Sequence, residues 1–195
     1  MLVIGLTGSI AMGKSEVAKI MAKHNIPVFD SDAEVHKLYD SMAGADLIRP
    51  FVPEAIKEGK VDRKIITQHV MKVPELLSML EKSVHAEIKR RRDIFIAEAK
   101  KTGAKSVVID TPLLFETGAD KDMDLTIVVS APLEQQRLRA LARPGMTEER
   151  LELILSRQIP DLQKRQKADE IIENNSTLLE LNKSVELLLK KLKAI

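Results

Sequence analysis

The stretch that most constrains the fold is residues 1–15. A short apolar run, Leu2 to Leu6, is followed by the pattern Gly-x-x-x-x-Gly-Lys-Ser over residues 8–15. The run has the length of a buried parallel strand, and the segment after Ser15 carries apolar residues at helical spacing. Because the pattern lies between a strand and a helix, it fits the Walker A loop, which binds phosphates.

The chemistry of this loop suits a nucleoside triphosphate. Backbone N–H groups and the N-terminus of the following helix, with a charge of roughly +0.5, point at the phosphates. We expect Lys14 to be a catalytic residue that reaches the β- and γ-phosphates of ATP, and the Ser15 hydroxyl to coordinate Mg²⁺. A glycine turn with a surface lysine is the weaker interpretation. The positions predicted to contact ATP are Gly8, Ala11, Met12, Gly13, Lys14, Ser15 and Glu16.

Composition excludes several classes of protein. The 195 residues suffice for one domain with a full core. A net charge of +2 and 3% aromatic residues give no basis for binding nucleic acid. Without cysteine there is no disulfide or thiolate metal site. No apolar run approaches the roughly 20 residues that span a bilayer, and the first apolar run is too short for a signal peptide. We therefore expect a cytoplasmic monomer that acts on a small molecule, without nucleic-acid or membrane partners.

Apolar strands alternate with amphipathic helices along the chain. This order predicts an α/β fold, the three-layer P-loop NTPase fold, with a parallel five-stranded sheet and helices on both faces. Leu77 and Leu178 are among the leucines predicted to face the core. The predicted strands are 2–6, 27–29, 106–109, 125–129 and 170–173, and the main predicted helices are 15–24, 33–39, 63–71, 74–103, 133–143 and 177–193.

Three carboxylates follow predicted strands. Asp30 and Asp32 come after the second strand, where ligands of open α/β sheets bind. Either carboxylate could instead cap a helix. For Asp30, a part in catalysis and a capping role both stay open. For Asp32, a part in catalysis is favoured over capping of the helix that starts at Ala33. Asp110 ends the third strand and matches a Walker B carboxylate, which holds Mg²⁺ directly or through water.

The remaining segments predict an insert and a lid. Proline and glycine interrupt residues 40–60, which predicts short helices, and Asp62 is predicted to cap the next helix. The basic run 89–92 predicts a solvated helix face with local ion pairs. Residues 137–167 are rich in Arg and Lys, which predicts a mobile helical lid that brings cations to a transferring phosphate.

Missing motifs narrow the class of phosphate-binding protein. The guanine-binding motif Asn-Lys-x-Asp is absent, and Asp110 does not begin an Asp-x-x-Gly switch, so a GTPase is disfavoured. A small kinase needs an acceptor site, a base and a cationic lid, and the chain offers a candidate for each. The acceptor could be a nucleoside monophosphate, a sugar or another small molecule. A non-catalytic nucleotide-binding module is the alternative outside the enzymes.

The ordered set of motifs resembles the dephospho-CoA kinase family. The most diagnostic segments are 30–32, Asp-Ser-Asp, and 110–116, Asp-Thr-Pro-Leu-Leu-Phe-Glu. The resemblance covers nearly the whole chain in order. It implies transfer of the ATP γ-phosphate to the ribose 3′-hydroxyl of dephospho-CoA, the last step of coenzyme A synthesis. The other matching segments are Val61-Asp62-Arg63, Leu80-Glu81 to His85, Gln136 to Arg139 to Arg143, Gln158, and Ala168-Asp169 to Asn174.

The resemblance also implies roles for individual residues. Asp32 is the expected base for the 3′-hydroxyl, and Arg143 is the expected lid arginine that faces the transferred phosphate. A single domain is expected, with a core of residues 1–30, 101–133 and 168–195, an acceptor-binding helical insert over 31–100 and a lid over 134–167. The residues expected to bind the acceptor are Asp32, Asp62, Arg63, His85 and Leu113.

Some positions depart from the pattern of the family. Ala11 stands where the loop usually has glycine, so a positive φ at this position would strain the loop. Glu16 replaces a threonine beside Ser15 and adds negative charge near the phosphates, which would weaken nucleotide binding. His85 is followed by Ala86 instead of proline. The catalytic and metal-binding positions are retained, and we therefore predict an active enzyme.

Overall fold

The computed structural model describes residues 1–194, which divide into two compact units. The first unit comprises Met1–Phe29 and the chain from Ile96 onward, and the second comprises Asp30–Phe95. Within the described residues, none of the helices is long and apolar enough to cross a membrane.

Strands and helices alternate along the chain as predicted. The strands are β1 (Leu2–Thr7), β2 (Val28–Asp30), β3 (Ile56–Lys57), β4 (Lys60–Val61), β5 (Ser106–Asp110), β6 (Leu125–Ser130) and β7 (Glu170–Glu173). The α-helices are α1 (Lys14–Lys23), α2 (Ser31–Tyr39), α3 (Met42–Ile48), α4 (Arg63–Lys72), α5 (Glu75–Lys101), α6 (Leu133–Leu141), α7 (Glu148–Ser156), α8 (Asp161–Lys167) and α9 (Leu178–Lys191).

The main sheet has five strands in the order β2-β5-β1-β6-β7. β1 pairs in parallel with β5 on one side and with β6 on the other, and β6 pairs in parallel with β7. The predicted five-stranded parallel sheet is confirmed. Leu6 lies beside Asp110 and Thr7 lies beside Val128. The three central strands therefore end at one edge, which is where the Walker A loop leaves β1.

The core of the first unit lies between the sheet and the helices α1 and α9. Ile4, Leu6 and Ile127 from the strands are fully buried against residues of these helices. Leu178, predicted to face this core, is 59% exposed. It is the first residue of α9 and precedes the turn that packs on the sheet, so this prediction was wrong. The buried residues of α9 are Leu181, Val185, Leu188 and Leu189.

The second unit has a separate apolar core. Its buried members are Leu38, Ile48, Val52, Ala55, Val61, Leu80 and Val84. Between α3 and α4 the chain forms the antiparallel β3–β4 hairpin, where short helices alone were predicted. Strands of two residues are too short to show a period in the sequence. Leu77, predicted to be buried, is 39% exposed, because the buried stripe of α5 runs through Leu80 and Val84.

Two aspartates cap helices in the second unit. Asp30 is the N-cap of α2, and its Oδ1 accepts a hydrogen bond from Ala33 N at 2.9 Å. The helix starts before the predicted Ala33, and Asp32 lies in its first turn with an exposed side chain. Capping by Asp32, the disfavoured alternative, is therefore wrong. Asp62 caps α4, as predicted, by accepting hydrogen bonds from the first turn.

The basic run of α5 is only partly solvated. Arg90 and Arg91 both bind the Glu87 carboxylate, which agrees with the predicted local ion pairs. The hydrogen bond from Arg90, supported by Arg91, lowers the pKa of Glu87 from 4.5 to about 2. Arg92 is only 7% exposed, so the prediction of a solvated face was wrong at this position. Spacing of four residues from Ile88 places Arg92 on the apolar stripe of the helix, where an arginine stem can pack.

Candidate active site

The sheet edge brings the Walker A loop and Asp110 together. β1 and β5 are paired up to Leu6 and Asp110, and Thr111 N donates to Leu6 O at 3.0 Å. The loop then passes close to β6: a Cβ on Gly8 would lie 2.6 Å from Val129 O. Only glycine allows this approach, so Gly8 fixes the path of the loop over the ends of the strands.

The helix after the loop starts at Lys14, and Gly13 is its N-cap with a φ of 99°. A Cβ at Gly13 would lie 1.9 Å from Asn174 Nδ2, so both conformation and space require glycine. Lys14 Nζ forms an ion pair with Asp110 Oδ1. The side chain of Lys14 is 15% exposed and that of Asp110 is 4% exposed. The predicted phosphate-binding lysine and the predicted metal carboxylate therefore meet at this edge.

Ala11 adopts the left-handed conformation, which is the case in which we expected strain in the loop. Its φ is 62°, and the side chain is buried. An L-residue with a side chain costs about 1–2 kcal/mol in this region. The loop of this chain therefore keeps a glycine-like conformation with alanine, at a cost in strain.

Three side-chain amides bind the backbone on either side of Ala11. Gln136 Nε2 donates to Ile10 O at 2.9 Å, and Gln158 Oε1 accepts from Ile10 N at 3.1 Å. Asn174 Nδ2 donates to Met12 O at 2.9 Å. These residues belong to the segments of the family resemblance, but no role followed for them from the sequence. Amide side chains that bind a distant backbone leave no periodic signal.

A cavity of about 620 Å³ adjoins the loop. Ser9, Gln136, Gln158 and Asp161 are among the residues that line it. The Ile10 backbone is held by the hydrogen bonds from the two glutamines, and its side chain packs against the buried Ala11, Ala140 and Leu151.

The other loop positions are at the start of α1. The side chain of Ser15 is exposed, which leaves its hydroxyl accessible. Glu16 Oε1 binds Lys19 Nζ at 2.6 Å. This neighbouring cation offsets part of the negative charge that Glu16 adds near the phosphate position. Met12 is almost fully buried, at 1% exposure, and its sulfur accepts from Ala131 N at 3.1 Å.

A buried lysine connects the segment after β5 to α8, which lies in the segment predicted to be a lid. Lys164 of α8 is fully buried, and its Nζ lies 2.8 Å from Glu116 Oε1 and 3.0 Å from Pro112 O. Pro112 O also accepts from Thr7 Oγ1 at 3.1 Å, at the end of β1. Leu113, the predicted acceptor-binding residue of this segment, is half-buried. Lys164 therefore links α8 to the segment that follows β5, and Pro112 O of that segment also bonds to the end of β1.

The predicted lid consists of α6, α7 and α8. Arg137 of α6 pairs with Glu148 and Glu152 of α7, so it holds these two helices together. Arg139 Nη2 donates to Asn174 O at 3.2 Å. Arg143 lies in the turn after α6 with an exposed side chain. Arg137 is exposed as well, but its guanidinium is engaged in the two ion pairs with α7.

The other predicted site residues lie in the second unit. Lys57 Nζ donates to Asp62 at 2.8 Å, and this hydrogen bond is the main cause of a lowered pKa for the carboxyl group. The guanidinium of Arg63 lies 3.0 Å from His36 Nδ1 and 5.9 Å from the centre of the Tyr39 ring. The side chain of His85, on α5, is exposed. Within this unit, Asp62 and Arg63 thus sit side by side, each with its own partner.

Comparison with known proteins connects this geometry to a family. The family model for dephospho-CoA kinase matches residues 2–180. A dephospho-CoA kinase from Brucella melitensis is 44% identical over 185 residues, which cover 95% of this chain and 92% of the relative. The chain belongs to the dephospho-CoA kinase family. The resemblance found in the sequence is confirmed.

Solved structures agree with membership of the dephospho-CoA kinase family. A protein from Thermus thermophilus is 32% identical with a TM-score of 0.82, and the match covers 98% of this chain and 97% of that one. A dephospho-CoA kinase from Campylobacter jejuni is 26% identical with a TM-score of 0.71, over 97% of this chain and 96% of that one. Membership of a P-loop kinase family implies that a nucleotide is the phosphoryl donor.

Proposed function

We propose that this chain transfers the γ-phosphoryl group of ATP to the ribose 3′-hydroxyl of dephospho-CoA, giving coenzyme A and ADP. The observation that carries the proposal is the pair of Lys14 and Asp110 beside a Walker A loop, in a chain of this family. A cation for phosphate and a carboxylate for the metal are two parts that phosphoryl transfer requires. The proposal extends to a cytoplasmic monomer acting on a small molecule, without nucleic-acid or membrane partners.

The proposed core, acceptor-binding insert and lid are those expected from the sequence. The core comprises residues 1–30, 101–133 and 168–195, the insert 31–100 and the lid 134–167. Lys14 pairs with Asp110 in the structure, and we propose that it changes its partner when ATP binds. The ammonium leaves Asp110 for the β- and γ-phosphate oxygens. N–H groups in the first turn of α1 have no intrahelical acceptor, so they can donate to the same phosphates.

Ser15 and Asp110 have the chemistry that magnesium needs. Mg²⁺ prefers oxygen donors and is usually held by one or two protein oxygens together with phosphates and water. No group of three or more His, Cys, Asp or Glu side chains in residues 1–194 is arranged for a metal ion, so the phosphates would supply much of the coordination. When bound, Mg²⁺ neutralises charge on the β- and γ-phosphate oxygens.

Asp32 is the proposed general base. The 3′-hydroxyl oxygen forms a bond to the γ-phosphorus, the bond from this phosphorus to the β–γ bridging oxygen breaks, and the hydroxyl proton moves to the Asp32 carboxylate. The side chain of Asp32 is exposed, and Asp30 performs the capping of α2. Arg143 is proposed to approach the transferred phosphate from the lid. The proposed acceptor contacts are Asp32, Asp62, Arg63, His85 and Leu113.

An acceptor panel tests the proposed reaction. The protein is incubated with ATP, Mg²⁺ and either dephospho-CoA, nucleoside monophosphates or sugars, and ADP release is followed. We expect release with dephospho-CoA. Release only with another acceptor would indicate a different small-molecule kinase, and ATP binding without acceptor-dependent release would indicate a non-catalytic module.

Replacement of the proposed base tests the mechanism. Asp32→Asn should lower kcat by about 10²–10⁴-fold, the usual contribution of general base catalysis, and leave ATP binding nearly unchanged. Asp40→Asn is the matched control, since Asp40 is an exposed residue at the other end of α2. Equal turnover of the two variants would contradict the role of Asp32.

A further inference from the structure

The strained turn at Ala11 is fixed by hydrogen bonds to the peptide groups around it. Gln158 binds Ile10 N, Gln136 binds Ile10 O and Asn174 binds Met12 O. Within the loop, Met12 N donates to Ser9 O at 3.2 Å. The peptide groups from residue 9 to residue 13 thus each have a hydrogen bond that sets their orientation. The φ and ψ of Ala11 follow from these orientations.

The orientation of each amide side chain is set by its backbone partner. Ile10 N can only donate, so the atom of Gln158 that faces it must be the oxygen. Ile10 O and Met12 O can only accept, so Gln136 and Asn174 must present their nitrogens. A residue of similar shape without these polar atoms cannot replace them.

The bonds connect the lid to the loop. Gln136 belongs to α6, and Gln158 follows α7. Both side chains line the cavity next to Ser9, whereas the side chains of Ile10 and Ala11 pack in a small apolar cluster with residues of α6 and α7. This packing does not by itself orient the peptide groups of the turn, and the hydrogen bonds that do so come from the lid segment and from the residue after β7.

We propose that Gln136, Gln158 and Asn174 are positioning residues that hold Ala11 in the left-handed conformation needed for nucleotide binding. Without them, Ala11 relaxes to a negative φ, and the loop spends less time in the binding conformation. Apparent affinity falls in proportion to the population of the binding conformation. Glycine at position 11 has no preference against positive φ, so it removes the need for the bonds. The inference rests on the nucleotide binding in the proposed function, and is independent of the acceptor.

A double-mutant cycle tests the proposal. The variants are Gln158→Met, Ala11→Gly and the two combined, and the control is Gln163→Met, at an exposed glutamine of α8. Affinity for Mg²⁺ and a non-hydrolysable ATP analogue is measured by calorimetry, and thermal unfolding is recorded for each protein. Gln136→Met replaces Gln158→Met if that variant does not fold.

We expect Gln158→Met to raise the Kd by about fivefold, as loss of one hydrogen bond of about 1 kcal/mol predicts. In the Ala11→Gly background the same replacement should raise it by less than about twofold, and Gln163→Met should have no effect. For transfer to dephospho-CoA, the KM for ATP should rise while kcat stays unchanged.

Two results would overturn the positioning role. One is an equal change in Kd whether position 11 carries alanine or glycine, and the other is a lower unfolding temperature with unchanged Kd. If the unsubstituted protein binds the analogue and does not phosphorylate dephospho-CoA, the proposed function is wrong. The Kd values of the double-mutant cycle would then still test the positioning role. If the unsubstituted protein does not bind the analogue, both fail.

Discussion

Replacement of the buried Lys164 by methionine should strongly destabilise the first unit. Lys164 has no exposed surface, and Glu116, its partner at 2.8 Å, is 13% exposed. Glu116 Oε1 also accepts from Ile159 N at 2.8 Å, and Oε2 is buried without a partner in the described part of the chain. Lys164→Met therefore leaves a buried carboxylate without its cation, and removes the hydrogen bond to Pro112 O.

The expected loss follows from the burial of the pair. Removal of one partner of a buried ion pair costs about 3–5 kcal/mol. For proteins of about 150–250 residues, 1 kcal/mol corresponds to about 2–4 °C in Tm. Lys164→Met should therefore lower the Tm by about 10 °C. Removing the charge of Glu116 as well should recover about half of this loss, because both charges are then gone.

Thermal unfolding followed by circular dichroism measures this effect. The proteins are Lys164→Met, Glu116→Gln, the double variant and the control Lys183→Met, at an exposed lysine of α9. The reasoning is refuted if the loss of Tm in the double variant equals the sum of the losses in the two single variants. A change of Tm for Lys164→Met as small as that of the exposed control would refute it as well.

Two further predictions concern Glu87 and Asp110. Because the folded pKa of Glu87 is lowered from 4.5 to about 2, its ionised form stabilises the fold above pH 4.5, and this stabilisation is lost as the pH falls towards 2. The Tm difference between the unsubstituted protein and Glu87→Gln should therefore be largest at neutral pH and narrow over this range; a constant difference would contradict the assignment. Asp110→Asn should lower kcat and raise the Mg²⁺ concentration needed for ADP release, whereas Asp122→Asn, at an exposed position, should change neither; normal magnesium dependence of Asp110→Asn would exclude Asp110 from the metal site.

The parallel sheet could be predicted because its strands are continuous apolar runs. β5 and β6 are buried almost along their whole length, so their residues show no alternation that would suggest an exposed face. The Walker A pattern identified β1 and α1 as neighbours. The meeting of Lys14 with Asp110 followed from the rule that parallel strands end at the same edge.

Other features could not be predicted from local patterns. Lys164 lies among many exposed cations of residues 137–167, and only the tertiary fold distinguishes it from the others. Gln136 and Gln158 bind backbone that is more than 100 residues away, and no spacing rule covers such contacts. For Arg92, a prediction of exposure from charge alone was wrong, because helical spacing places this residue on the apolar stripe of α5.

The position of β1 in the centre of the sheet has a consequence for synthesis of the chain on the ribosome. Its neighbours β5 and β6 begin at Ser106 and Leu125, whereas β1 ends at Thr7. Chain synthesis proceeds at about 5–20 residues per second, so roughly 5–20 s pass between the synthesis of β1 and that of its first partner strand. Residues 30–95 are continuous and complete within this interval, so the second unit can form its core first. The nascent chain would therefore fold from its middle outward, and the first unit, with its nucleotide loop, would be completed after the second.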